Sequence, residues 1–158
     1  MDKIRVDDVE QHWSFASVRR RLGDALDAEN VAISYYEVDP GETLGAIVHT
    51  HFDQEELFYV LSGTVTFEQP DGDVVVRTDE VIRFAPGDYQ LGYNDGDETA
   101  TVLALGAPRE SETAAQRIVC PECGRTTEFE YAVSETEDAK VLRCLSCDAA
   151  LDRATRGT

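Results

Sequence analysis

Residues 31–105 are a succession of short apolar runs divided by turn residues, spaced at the roughly 8–12-residue interval of a β-sandwich or barrel. That rhythm leaves little room for helix and predicts an all-β, antiparallel fold. Strands are expected at 32–38, 46–51, 57–61, 64–68, 73–77, 80–84, 89–93 and 99–105. The punctuation between them is turn chemistry: Asp39-Pro40-Gly41, Ser62-Gly63, Pro70-Asp71-Gly72, Ala85-Pro86-Gly87 and Asn94-Asp95-Gly96. Before this series, Val18, Leu22 and Leu26 recur at helical spacing, with Gly23 weakening the pattern and an edge strand as the alternative. After it, residues 107–118 are polar and aperiodic and read as a linker, dividing a β domain (1–112) from a C-terminal unit (113–158).

Charge excludes some partners. The 158 residues carry 32 acidic and 14 basic side chains, a formal charge of −18, which removes simple attraction to nucleic acid or an anionic membrane. Only Lys3 and Lys140 are lysines. An acid-rich, lysine-poor surface suits a halophilic, haloarchaeal-like protein, because concentrated salt screens the repulsion among carboxylates. Most of the excess belongs to residues 1–112, with 24 acids against 8 bases. Arg19-Arg20-Arg21 is the basic cluster of this segment and reads as a solvated face balancing nearby carboxylates, with an anion site or subunit contact as the alternatives. No apolar run approaches the roughly 20 residues that span a bilayer, and the N-terminus lacks a signal-like apolar stretch, so a cytoplasmic location is expected.

All four cysteines lie near the C-terminus in two pairs, Cys120-Pro-Glu-Cys123 and Cys144-Leu-Ser-Cys147. Two such turns let four thiolates converge tetrahedrally on one zinc ion, a closed and therefore structural site. The alternative, two thioredoxin-like redox motifs, requires a βαβ context that the pattern lacks. Stretches 127–133 and 139–143 can pair as a short hairpin, completing a zinc ribbon. Glu128, Glu130, Glu135, Glu137 and Asp138 make that hairpin acidic, which favours contact with a protein partner, or plain stabilisation, over nucleic-acid binding.

His49 and His51 are two of three histidines. On a strand, positions i and i+2 face the same way, so both imidazoles can reach one metal ion. Glu56 follows after four residues and Gly63 after six more. Strand alternation puts Glu56 with Phe58 and Val60 on one face and Glu55 with Leu57 and Tyr59 on the other, which selects Glu56 as the carboxylate. His12, beside Trp13, is expected to be a surface or packing residue, and the tyrosines to be packing residues.

His49-x-His51-x4-Glu56-x6-Gly63 resembles the first motif of the cupin superfamily, with Gly41 and Gly45 as candidates for its leading glycine. Ala85-Pro86-Gly87-Asp88-Tyr89-Gln90-Leu91-Gly92-Tyr93-Asn94 resembles the second motif, with Gln90 where the family places a histidine. The resemblance covers about residues 30–106. It implies a small cupin-like antiparallel β-barrel (double-stranded β-helix, or jelly roll) with one divalent metal (Fe, Mn, Ni or Zn) in its mouth, and pairing into a homodimer. His49, His51 and Glu56 would supply a two-histidine, one-carboxylate set with positions left open. Gln90 would ligate through its amide oxygen or hydrogen-bond beside the metal. Gly92, on the same face, is expected to leave room there for a small ligand. The function implied is metal-dependent action on a small molecule, as an oxygenase or isomerase; the alternative is a non-catalytic binding or sensing module whose ribbon contacts a protein partner.

Overall fold

The computed structural model describes residues 1–69, 71–133 and 140–151. The expected turn at 134–139, with Glu135, Glu137 and Asp138, and the residue Pro70 lie outside the described residues.

The chain runs through β1 (Val18–Arg21), α1 (Leu22–Ala25), β2 (Ala32–Val38), β3 (His49–His51), β4 (Glu55–Ser62), β5 (Thr64–Glu68), β6 (Val74–Arg77), β7 (Val81–Phe84), β8 (Leu91–Tyr93) and β9 (Ala100–Ala107). It continues as β10 (Ala114–Val119), β11 (Thr126–Val133), β12 (Lys140–Cys144) and β13 (Ala150–Leu151). Among the described residues these strands form three sheets, β1-β2-β9-β4-β7, β6-β5-β8 and β13-β12-β11-β10-β3, and every pairing is antiparallel. No helix among these residues is long and apolar enough to cross a membrane.

Alternation builds the core. On β4, Phe58 and Val60 point inward with Glu56, while Glu55 faces out and accepts a hydrogen bond from Arg83 Nε at 2.6 Å. Phe58, Phe67 and Phe84 meet at centroid distances of 5.0, 5.3 and 5.9 Å in tilted and edge contacts. Val38, Val60, Val65 and Val102 close around them, fully buried. Gly63 turns the β4–β5 hairpin at φ +77°, where a Cβ would also lie 2.8 Å from Ala100 Cα, so no other residue fits that corner.

Of the two alternatives for residues 18–26 the edge strand is found: Val18–Arg21 pairs with β2, and a single helical turn follows. Two local expectations are corrected. Residues 107–118 are not simply a linker, because Ala114–Val119 is a strand lying between β3 and β11. Gly92 leaves no room beside the metal-ligand candidates: a Cβ there would lie 2.6 Å from Leu44 Cδ1 and 2.8 Å from Phe67 Cε1, so packing already fills the space.

Candidate functional site

His49 and His51 sit two apart on β3, and Glu56 lies near the start of β4. One ligand atom from each of the three falls within 4.8 Å of the others. His51 Nε2 and Glu56 Oε1 are 3.8 Å apart, inside the span that two metal–ligand bonds of about 2.1 Å can bridge.

The hydrogen bonds on the far side of each ring decide which nitrogen is available. His49 Nδ1 lies 3.1 Å from the carbonyl of Ile47, which can only accept, so Nδ1 carries the proton. His51 Nδ1 lies 2.9 Å from Ser111 Oγ, and that hydroxyl donates to Asp53 Oδ1 at 2.6 Å, so it accepts from the ring. Both imidazoles therefore keep an Nε2 lone pair for a ligand, the arrangement typical of metal-binding histidines. Burial pushes the His51 pKa below its ordinary value, against the pull of Glu56, so the ring is neutral at pH 7 and its contact with Glu56 is not an ion pair. The donor set thus offers two ring nitrogens and one carboxylate, which fits a divalent ion with positions left open.

Gln90 is buried and adjoins this group through a backbone bridge to His49, with N–H···O distances of 3.0 and 2.9 Å. Its Nε2 donates to Glu56 Oε2 at 2.9 Å and lies 3.5 Å from His49 Nε2. The amide presents its donor, not its oxygen, to the ligand set. Of the two roles expected for Gln90, the hydrogen bond beside the ligand set is the one made here, to the carboxylate of Glu56.

These residues open onto a cavity of about 470 Å³. Its walls mix apolar side chains, among them Phe15, Leu44, Ile47 and Leu105, with Arg19, Ser34, Tyr36, Gln54, Arg109 and Gln116. Sequence reasoning did not assign Ser111, Tyr36, Arg19, Arg109 or Gln116 to the site. Arg19 alone had a signal, its place in the arginine cluster. His12 lies in the N-terminal segment, its backbone N–H donating to the carbonyl of Arg19, and is not one of the grouped ligand atoms.

The four cysteines come together at the other end of β10. Cys120 and Cys144 are buried, and the four sulfurs lie within 4.8 Å of one another. Cys120 Sγ···Cys147 Sγ is 3.7 Å and Cys123 Sγ···Cys144 Sγ is 4.0 Å. Tetrahedral zinc with Zn–S bonds of about 2.3 Å requires sulfurs about 3.8 Å apart, so these residues suit that ion. Burial opposes ionisation of Cys120, but the backbone N–H groups of Cys123 and Glu122 overcome it and bring the thiol down to about 7. The N–H of Ala149 favours the Cys147 thiolate, yet burial and the three neighbouring thiols push it up to about 12.

This unit is stitched to the barrel. Ala114, Ala115 and Gln116 pair with His51, Thr50 and His49, the N–H of Arg117 donates to the carbonyl of Val48 at 3.0 Å, and Tyr89 Oη donates to Glu128 at 2.8 Å. Burial and the Glu128 carboxylate push the Tyr89 pKa up to about 12, which keeps that donor protonated.

An antiparallel barrel with two histidines and a glutamate converging at an internal cavity defines a barrel-type candidate metalloprotein. In comparison with known families, a model described as a cupin domain matches residues 34–106, and that stretch is what the similarity covers. The fold is similar to that of a sugar phosphate isomerase from the cupin superfamily of Silicibacter pomeroyi (TM-score 0.61, 21% identity, covering 95% of this chain and 92% of that one). It is also similar to the polyketide cyclase RemF from Streptomyces resistomycificus (TM-score 0.63, 22% identity, 77% and 88% covered). A predicted oxalate decarboxylase from Thermotoga maritima aligns with a TM-score of 0.59 at 19% identity, over 68% of this chain and 99% of that one. No curated protein matches the sequence.

Proposed function

We propose that the barrel holds one divalent metal through His49 Nε2, His51 Nε2 and the Glu56 carboxylate, and acts as a metal-dependent enzyme on a small oxygen-bearing molecule bound in the cavity. The observation that carries this reading is the committed Nδ1 of both imidazoles, which leaves two lone pairs facing one carboxylate. When bound, the metal supplies Lewis acidity toward a substrate oxygen. The chain's own residues do the rest. Gln90 fixes Glu56, Ser111 with Asp53 fixes His51, and the apolar walls limit water. Of the two chemistries considered, isomerisation is favoured over oxygenation: Tyr36 lines the cavity, so a phenol hydroxyl is at hand to hydrogen-bond a substrate oxygen. The description of one structurally similar protein as an isomerase supports this reading. Residues 113–158 serve as a zinc ribbon on Cys120, Cys123, Cys144 and Cys147 that walls one side of the site, residues 1–112 forming the barrel unit.

A second reading, a binding or sensing module, is favoured by β10, which joins the ribbon directly to the strand bearing both histidines. One experiment separates the two. The metal content of the purified chain is measured, then small hydroxy and keto compounds are screened for both melting shifts and chemical turnover. Two metals per chain, with one lost in the His49→Ala/His51→Ala variant together with turnover, is the expected result. Melting shifts with no turnover select the sensor. A single metal unaffected by the double change overturns the barrel metal.

A further inference from the structure

We infer that Arg19 makes the cavity an anion site, so that its ligand is a small hydroxylated molecule bearing a carboxylate or phosphate group. This deepens the proposed function and rests on it only for the cavity being the substrate site.

Arg19 pairs with Tyr36 in the β1–β2 register and lines the cavity, its guanidinium carbon 5.6 Å from the centre of the Tyr36 ring. The three arginines around it each have a partner for part of the guanidinium, though Arg20 Nε, like Arg19 Nε, has none. Arg20 donates to the carbonyl of Val9, Arg21 faces Asp24 at 3.5 Å, and Arg109 donates to the carbonyl of Ala28 and to Asp24 Oδ1 at 2.6 and 2.9 Å. Among the described residues Arg19 makes no ion pair and donates no side-chain hydrogen bond, and its Nε is shielded from solvent with no partner. A shielded guanidinium N–H without an acceptor is unfavourable unless a ligand supplies one. Stacking on an aromatic face leaves the edge of the guanidinium open, the geometry that takes a carboxylate or phosphate through two parallel hydrogen bonds.

Two other features agree. Gln116 lines the same cavity, is buried, and has an Oε1 with no partner, an acceptor suited to a ligand hydroxyl. Tyr36 lines the same cavity as Arg19, Glu56 and both histidines, so the cationic wall and the metal-ligand group face one chamber. A ligand anchored by its anionic end at Arg19 would direct its remaining oxygens toward Glu56 and the histidines. In a chain of net charge −18 the far field repels anions, so their capture has to come from a local, sheltered cation of this kind.

The test titrates inorganic phosphate and, separately, acetate into the full chain at fixed potassium chloride, following binding by calorimetry. Variants are Arg19→Gln, Arg19→Lys, Arg83→Gln on the outer surface, and the His49→Ala/His51→Ala double change. Phosphate binding should weaken at least about tenfold in Arg19→Gln, the loss of one charge-assisted contact. Arg19→Lys should weaken it less, and Arg83→Gln should leave it unchanged. The double variant should still bind, because the anion contact does not need the barrel metal; this arm separates failure of the metal reading from failure of this one. The phosphate and acetate arms show which anion class the fork prefers. Binding equal in wild type and Arg19→Gln, binding lost only in the double variant, or no binding of either anion overturns the proposal. If Arg19→Gln does not fold, as read from its melting curve, Arg19→Lys carries the comparison alone: unchanged affinity overturns, weakened affinity supports.

Discussion

Replacing Gln90 with alanine tests how the carboxylate of the site is held. In the structure Gln90 Nε2 donates to Glu56 Oε2 at 2.9 Å, from a side chain that is only 2% exposed. A hydrogen bond to a charged acceptor contributes about 1.5–3 kcal/mol, and water cannot easily replace a donor at that depth. Stability of the metal-free chain should therefore fall by about 1–3 kcal/mol, read as a lower urea midpoint with an unchanged slope. Partners of metal ligands typically change affinity by about 10–100-fold when removed, so barrel-metal affinity in a competition titration should weaken within that range while the ribbon metal stays. The Gln90→Glu variant sharpens the point. It keeps the size but sets a second carboxylate beside Glu56, and two carboxylates so close cannot both ionise without a cation between them. Metal binding by this variant should fall more steeply with decreasing pH than in wild type. If Gln90→Ala leaves both the midpoint and the metal affinity unchanged, the assignment of Gln90 as the residue that positions Glu56 is wrong.

Stability should also depend on pH through two groups that both weaken the fold as pH falls, in different windows. Burial lowers the folded pKa of His51, so the unfolded chain takes up that proton first; stability is complete above about pH 6.5 and is lost as pH falls below it. Hydrogen bonds from Ser111 and the Glu112 N–H lower Asp53, whose contribution is present above its unfolded value near 3.8 and disappears as pH falls through the depressed one. A urea series from pH 8 to 3 should show both declines, and a flat curve between pH 7 and 5 refutes the His51 assignment. Changing Cys144 to serine should release the ribbon metal and, through β10, weaken barrel-metal affinity as well; an unaltered barrel affinity means that the two sites are independent. Melting temperature should rise steeply from low to molar potassium chloride if carboxylate repulsion opposes folding, and a flat response refutes the salt adaptation inferred from the charge of −18.

Where alternation and turn residues act locally, the sequence was readable. Strands β2 and β5 begin and end where the apolar runs do, and the two faces of β4 separate Glu55, bound to Arg83, from Glu56, which lies beside the histidines. What stayed hidden depends on partners distant in sequence. Ala114–Val119 contains Ala-Ala-Gln-Arg-Ile-Val, too polar and irregular to announce a strand, and it becomes one because β3 and β11 offer hydrogen bonds on both sides. Arg19 looked like one of three solvated arginines; only the β1–β2 register turns it toward Tyr36 and the cavity. Gly92 suggested open space because a missing side chain carries no information about what fills its place, here Leu44 and Phe67.

The three-residue strand β3 has one further consequence. Its outer side is covered by Ala114, Ala115 and Gln116, and its inner side is tied to Gln90. A chain ending near residue 112 would expose the backbone of His49–His51 as a bare sheet edge, next to the exposed ring of Phe52. Unpaired edges of this kind recruit strands from neighbouring molecules. By pairing with β3 the C-terminal segment covers that edge, so any self-association of a barrel truncated near residue 112 would trace to an uncovered edge rather than to a poor core.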